Sequence, residues 1–311
     1  MLILFCLLFC KVFVPFLATA SEEKPMVFVS ILPQKYFVDR IVGDKIAVEV
    51  MVGSGQSPHT FEPMPRQLSL LAKASLYFGV GIPFEKAIVE KVKSGFKVKV
   101  VDTSEGIKFR KDECSDHDHE SSQGDHKTDA PEGPNTQNNS GSTSENPGAD
   151  NRDPHHWLDP QNAKLISQNI FRELVQFFPD FSDEFKKNYD LLLVDLDKLD
   201  SDLKNSLTQV KGNSFLVFHP AYGYFAEKYG LKQLPVESEG KEPSPRQLAE
   251  LIRKAKFQKI KVVFVQPQFA PKAAETLANE IGATITNMDP LAYNYLENMR
   301  EIAKKILDSE K

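Results

Sequence analysis

Asp153-Pro154-His155-His156-Trp157-Leu158-Asp159-Pro160 packs two histidines, two carboxylates, two prolines and the only tryptophan of the chain into eight positions. Two more histidines stand in similarly marked settings, Pro58-His59-Thr60-Phe61-Glu62-Pro63 and Phe218-His219-Pro220-Ala221-Tyr222. Read together, the three places are candidates for one metal ion. A zinc finger or a His-Glu-x-x-His helix draws two ligands from within a few residues. Here the candidates lie roughly a hundred and then sixty residues apart. Each must come from its own loop, so the fold has to be complete before such a site exists. Spacing alone is therefore a weak signal.

Working outward, the flanking sequence alternates between two periods. On the N-terminal side, short apolar runs rich in β-branched residues predict strands at 26–31, 47–52, 76–80 and 98–102. Helical patterns fall between them: Tyr36, Phe37, Ile41 and Val42 before Gly43, then a segment opened by Pro65, then residues 84–92. The second half repeats the scheme, with strands at 215–218, 231–236, 262–265 and 283–286. Its helices are expected at about 222–229, 245–256, 272–281 and 293–307, with Ser244 and Pro245 as a helix start. Strand alternating with helix is the sequence sign of an α/β fold with parallel sheets. Such sheets bind ligands beyond the carboxyl ends of their strands. His59, His219 and Asp289 all follow predicted strands.

Between the halves lies the longest periodic segment. Phe185, Tyr189, Leu192, Leu196, Leu199, Leu203 and Leu207 recur at gaps of three and four. Asp183 and Glu184 suit the positive N-terminal end, and Gly212 can end the helix. Residues 182–210 make a rod of roughly 40 Å at about 1.5 Å per residue, long enough to join two domains stiffly. The expected division is a signal peptide at 1–20, an N-terminal lobe at 21–181, a linker helix at 182–212 and a C-terminal lobe at 213–311.

The chain has 311 residues, a net charge of −5 and 41% hydrophobic residues. That is length for two domains or one large one, and mild acidity with no basic run argues against nucleic acid. Met1–Leu17 is almost wholly apolar, and Ala18-Thr19-Ala20 fits a cleavage site, which predicts export with the mature chain starting at Ser21. No basic residue precedes the apolar run and Lys11 interrupts it, so an uncleaved anchor is the alternative. Cys6 and Cys10 lie inside this segment, leaving Cys114 alone and no internal disulfide in the mature chain.

From about 104 to 152 the composition turns polar, acidic and rich in Asn, Ser, Thr, Gly and Pro, which predicts a disordered insertion. His117, His119 and His126 lie in it among Asp116, Asp118, Glu120 and Asp125. They are candidates for a weak accessory metal store, or simply a solvated loop.

Several stretches in order carry a resemblance: 58–63, 153–160, 218–225, Glu237–Pro245 and Val265-Gln266-Pro267-Gln268-Phe269. Across nearly the whole mature chain the sequence resembles the zinc/manganese substrate-binding proteins of ABC transporters. The resemblance implies two α/β lobes, each with a parallel sheet flanked by helices, joined by one long helix with the metal in the cleft between them. It implies ligation by His59, His155, His219 and Asp289. His155 is chosen over His156 because the family's ligand directly follows proline; His156 is then expected to be an exposed neighbour. Histidine rather than carboxylate at 219 points to Zn2+ over Mn2+, in keeping with zinc's preference for imidazoles in a tetrahedron. Asp289 has the alternative role of capping the following helix. Glu62 and Asp159 either orient histidines or simply supply charge at helix starts.

The expected function is high-affinity extracytoplasmic zinc binding and delivery to a membrane permease, by a monomer that does no chemistry. Proton competition for three imidazoles predicts metal release in acid. The alternatives are a manganese-binding homologue, a metal-dependent adhesin on the same scaffold, and, from another class, a zinc hydrolase. A hydrolase needs a water position and a general base, and no His-Glu-x-x-His pairing is present.

Overall fold

A computed structural model of the chain describes residues 24–110, 152–237, 243–269 and 272–311. The expected signal segment, the expected accessory histidines and Cys114 lie outside them. In chain order the elements are β1 (Met26–Val29), α1 (Leu32–Val42), β2 (Ala47–Val50), α2 (Pro65–Leu71), β3 (Leu76–Gly79), α3 (Glu85–Gly95) and β4 (Lys99–Asp102). Then come α4 (Pro160–Phe177), α5 (Ser182–Leu207), β5 (Ser214–Val217), α6 (Gly223–Tyr229), β6 (Lys232–Pro235), α7 (Pro245–Phe257), β7 (Val262–Val265), α8 (Lys272–Ile281), β8 (Thr284–Asn287) and α9 (Tyr295–Ser309). The strands form two parallel four-stranded sheets of the same topology, β2-β1-β3-β4 and β6-β5-β7-β8. This is the two-lobe α/β architecture read from the alternation. Among the described residues no helix is long and apolar enough to cross a membrane.

The central strands explain their own burial. Val27, Phe28, Val29, Leu76, Tyr77 and Phe78 are all within 1% of full burial, because helices cover both faces of a parallel sheet. One apolar core runs without interruption from the first sheet through α4 and α5 to β5, α6 and α9. A smaller cluster lies where α7 and α8 cover the second sheet. α5 is thus more than a connecting rod: Leu192, Leu196, Leu199, Leu203 and Leu207 are buried along its length. It packs against α1 and α4 of one lobe and against α6 and α9 of the other.

α9 also crosses between lobes. The Tyr295 ring meets Phe37 of α1 edge-on at 4.8 Å, and the Tyr293 hydroxyl donates to Asp39 Oδ2 at 2.8 Å. Residues 104–110, read from sequence as the start of the insertion, pack against the body: Ser104 and Ile107 are buried, and Asn169 Nδ2 donates to the carbonyls of Thr103 and Glu105 at 3.0 and 2.9 Å.

A polar network sits inside the first lobe, under the carboxyl ends of its strands. Glu85 Oε1 accepts from Val80 N at 2.8 Å and from the Ser30 hydroxyl at 2.5 Å, and Oε2 accepts from Gly81 N at 2.8 Å. Gly79 is needed beside it, since a Cβ there would lie 2.8 Å from Glu85 Oε2. Burial pushes the Glu85 carboxyl up to about 7, outweighing the three hydrogen bonds that favour the charged form. A carboxyl raised on folding holds its proton more tightly in the native state. Its stabilising contribution is therefore complete below the unfolded value and is lost as pH rises through the folded one. Between pH 6 and 8 the metal-free protein should lose on the order of 1 kcal/mol through this group. Urea unfolding at both pH values, compared with Glu85→Gln, isolates it from Asp153 and His156. An identical pH slope in the variant would remove Glu85 as the cause.

Candidate metal centre

The carboxyl ends of both sheets face one narrow cleft, lined by residues that follow β2, β3, β5, β7 and β8. His219 stands two residues beyond β5, at the point where β5 separates β6 from β7 and the strand order reverses. Its backbone is clamped by Gln266, which follows β7: His219 N donates to Gln266 Oε1 at 3.1 Å, and Gln266 Nε2 donates to His219 O at 2.7 Å. The Phe269 ring stacks on the imidazole at 5.0 Å.

His155 arrives from the other side, on the turn before α4. Asp159 caps that helix by accepting from Gln161 N at 2.8 Å, and Pro160 opens it. Trp157 anchors the turn across the lobes. Its Nε1 donates to Pro290 O at 2.9 Å, and its carbonyl accepts from the Tyr295 hydroxyl at 2.7 Å. His59 comes from the loop after β2, which is braced where Gln67 Nε2 donates to Met51 O at 2.7 Å and where the Phe61 ring meets Phe84 at 5.0 Å.

The three imidazoles converge. One ring nitrogen from each of His59, His155 and His219 lies within 4.8 Å of the others. His155 and His219 are 7% exposed, while His59 is exposed. His155 Nδ1 faces Asp153 Oδ1 at 2.9 Å, and His219 Nδ1 faces Glu237 Oε1 in a very short contact. A carboxylate on Nδ1 fixes that nitrogen as the donor and leaves the lone pair on Nε2. The two Nε2 atoms then point at each other across 3.2 Å. Two lone pairs at that distance repel unless a positive centre lies between them. For a tetrahedral zinc with Zn–N bonds of about 2.0–2.1 Å, the ligand–ligand edge is about 3.3 Å. The donor set fits a borderline cation, and the apolar walls of Ile82, Pro154, Trp157, Phe269 and Leu291 limit water around it.

Asp153 is held as closely as the ligand it supports. Burial pushes its carboxyl up to about 6, against the His155 N–H and the nearby Arg110 charge, which pull the other way. Arg110 Nε lies 3.9 Å from Asp153 Oδ2. Gly223 permits this approach, because a Cβ there would come within 2.9 Å of the same oxygen.

Two readings change. His156, expected as an exposed neighbour, is fully buried. It bonds through Nε2 to Val80 O at 2.9 Å, and burial lowers it to about 4, so it is a neutral core histidine that docks the turn on the first lobe. The orienting carboxylates are Asp153 and Glu237. Asp159 serves as the helix cap, and Glu62 is exposed. Asp153 was visible two residues before His155 and Glu237 in its own motif, but nothing in sequence paired either with a ring. The clamp by Gln266 was likewise unread. Asp289 follows β8, outside the three-imidazole cluster. Its Oδ1 accepts from Gln268 Nε2 and from Leu291 N, each at 2.9 Å.

The family model described as "Zinc-uptake complex component A periplasmic" matches residues 27–309. The high-affinity zinc uptake system protein ZnuA of Bacillus subtilis is 30% identical over 271 residues, covering 86% of this chain and 78% of that protein. Zinc-binding protein AdcA of Streptococcus pyogenes is 28% identical over 277 residues, and the chain spans about half of its length, 51%. A solved structure of a ZnuA deletion mutant with zinc bound superposes with a TM-score of 0.76 at 33% identity, covering 92% of this chain and 98% of that one.

Proposed function

The chain belongs to the zinc-uptake complex component A family, and from that premise we propose that it captures Zn2+ in the histidine cleft and delivers it to an ABC-transporter permease. The observation that carries this reading is the pair of carboxylate-backed imidazoles whose Nε2 atoms meet at 3.2 Å. His59, His155 and His219 supply three nitrogens, and Asp289, beyond β8 and outside their cluster, supplies the fourth ligand by turning its Oδ2 toward them. Four protein ligands leave no position for an activated water, so the site stores and transfers an ion rather than hydrolysing a substrate. The protein acts as a monomer outside the cytoplasmic membrane, after cleavage before Ser21. The lobes divide at 181 and 213, about the linker helix. The family description supports the periplasm, and the relatives' names support zinc over manganese.

His117, His119 and His126 form a separate, weaker store. The segment carrying them leaves and re-enters the body at neighbouring points, since Asp153 N donates to Arg110 O at 3.0 Å. Removing residues 111–148 should therefore leave the cleft intact. Isothermal titration should give one tight zinc for both the full and the shortened chain, with the additional weak sites only in the full one. Loss of the tight site on deletion, or no tight site in the full chain, overturns the reading.

A further inference from the structure

Asp289 is positioned by two neighbours that both line the cleft. Gln268 Nε2 and Leu291 N each donate to Oδ1 at 2.9 Å. Asn298 Nδ2 holds the Asp289 backbone carbonyl at 2.7 Å, so the residue cannot easily pivot as a whole. Among the described residues, Oδ2 accepts no hydrogen bond. A carboxylate oxygen has two lone pairs. With two N–H donors, Oδ1 is saturated, and only Oδ2 is left for a cation.

We propose that Gln268 is a specificity-determining residue: by occupying Oδ1 it restricts Asp289 to one-oxygen ligation and so favours zinc over manganese. The inference rests on the reading of the cleft as a divalent-cation site with Asp289 as its fourth ligand. Three imidazoles and one oxygen make the four-coordinate set zinc accepts. Manganese favours a higher coordination number and more oxygen, which a chelating carboxylate would supply. The backbone donor of Leu291 cannot be removed by changing its side chain. The Gln268 amide can, and without it one lone pair of Oδ1 becomes available to the ion.

The test uses the full chain and three metal probes. Zn2+ and Mn2+ affinities are measured by chelator competition, and Co2+ is bound as a spectroscopic reporter of coordination number. Gln268→Leu should lower the zinc-to-manganese affinity ratio at least about tenfold, the scale on which partners of metal ligands act. It should also weaken the visible cobalt bands, as a four-coordinate centre becomes five-coordinate. In the Asp289→Asn background, Gln268→Leu should have neither effect. Gln268→Met, which keeps the length and lacks the donor, carries the same expectation should Gln268→Leu not fold. An unchanged ratio and cobalt spectrum, or the same change with Asp289→Asn, overturns the role of Gln268. A wild-type chain that binds no zinc fails differently, since it removes the function on which the inference stands.

Discussion

His219→Ala is expected to lower zinc affinity by more than about a hundredfold. Loss of a group that only orients a ligand costs about 10–100-fold, and His219 is itself one of the three converging imidazoles, 3.2 Å from its counterpart on His155. The variant also leaves Glu237, 4% exposed, without the ring it faces. Glu237→Gln makes a sharper comparison, because its amide oxygen can still accept from His219 Nδ1. Its cost should fall within the tenfold-to-hundredfold range. His156→Ala should cost stability by undocking the turn but far less affinity than His219→Ala, since that ring faces Val80 O and not the cleft. Chelator competition measures all three. A normal affinity for His219→Ala, or a severe loss for His156→Ala, would mean that the wrong imidazoles have been identified.

Trp157→Ala should be the most destabilising single change in the structured body, at about 3–5 kcal/mol. The side chain is 1% exposed and lies where both lobes and the cleft meet. Truncation opens a large cavity there, which the surrounding parallel sheets cannot collapse to fill. It also strands the Pro290 carbonyl that accepts the indole N–H. Trp157→Phe keeps most of the apolar contact and loses that donor, so it should cost about 1–3 kcal/mol. Urea unfolding of metal-free protein ranks them. A loss below about 1 kcal/mol for the alanine variant would show that the lobes do not depend on this anchor.

All eight described strands fell on short runs marked off by turn residues, and the central ones, β1, β3, β5 and β7, are the most apolar because both their faces are covered. The long helix was legible from its leucines, whose spacing reports one covered face. Its covering by both lobes was not, since periodicity says that a stripe is buried and not by what. The same limit applies at the centre. His59, His155 and His219 could be singled out by their neighbours and by the family resemblance, yet the orienting pairs could not. His219 and Glu237 are joined across two parallel strands, and only the register of β5 with β6 brings them into contact. His156 was misjudged for a related reason: adjacent residues in a tight turn point to opposite sides, here one to the cleft and one into the core.

The unequal exposure of the three imidazoles would give an ion bound as proposed a direction of travel. His155 and His219 form a fixed wall, backed by Asp153, Glu237 and Gln266. His59 stands at the mouth on a loop between β2 and α2, outside any strand or helix. If the three imidazoles ligate as proposed, an incoming ion would meet His59 from solvent first, and a departing ion would leave His59 before the buried pair. On that ligation, exchange would depend on how far the His59 loop can part from its braces, and the depth of the energy well on the buried pair. A receiving surface that draws the His59 loop aside could speed release greatly without weakening storage.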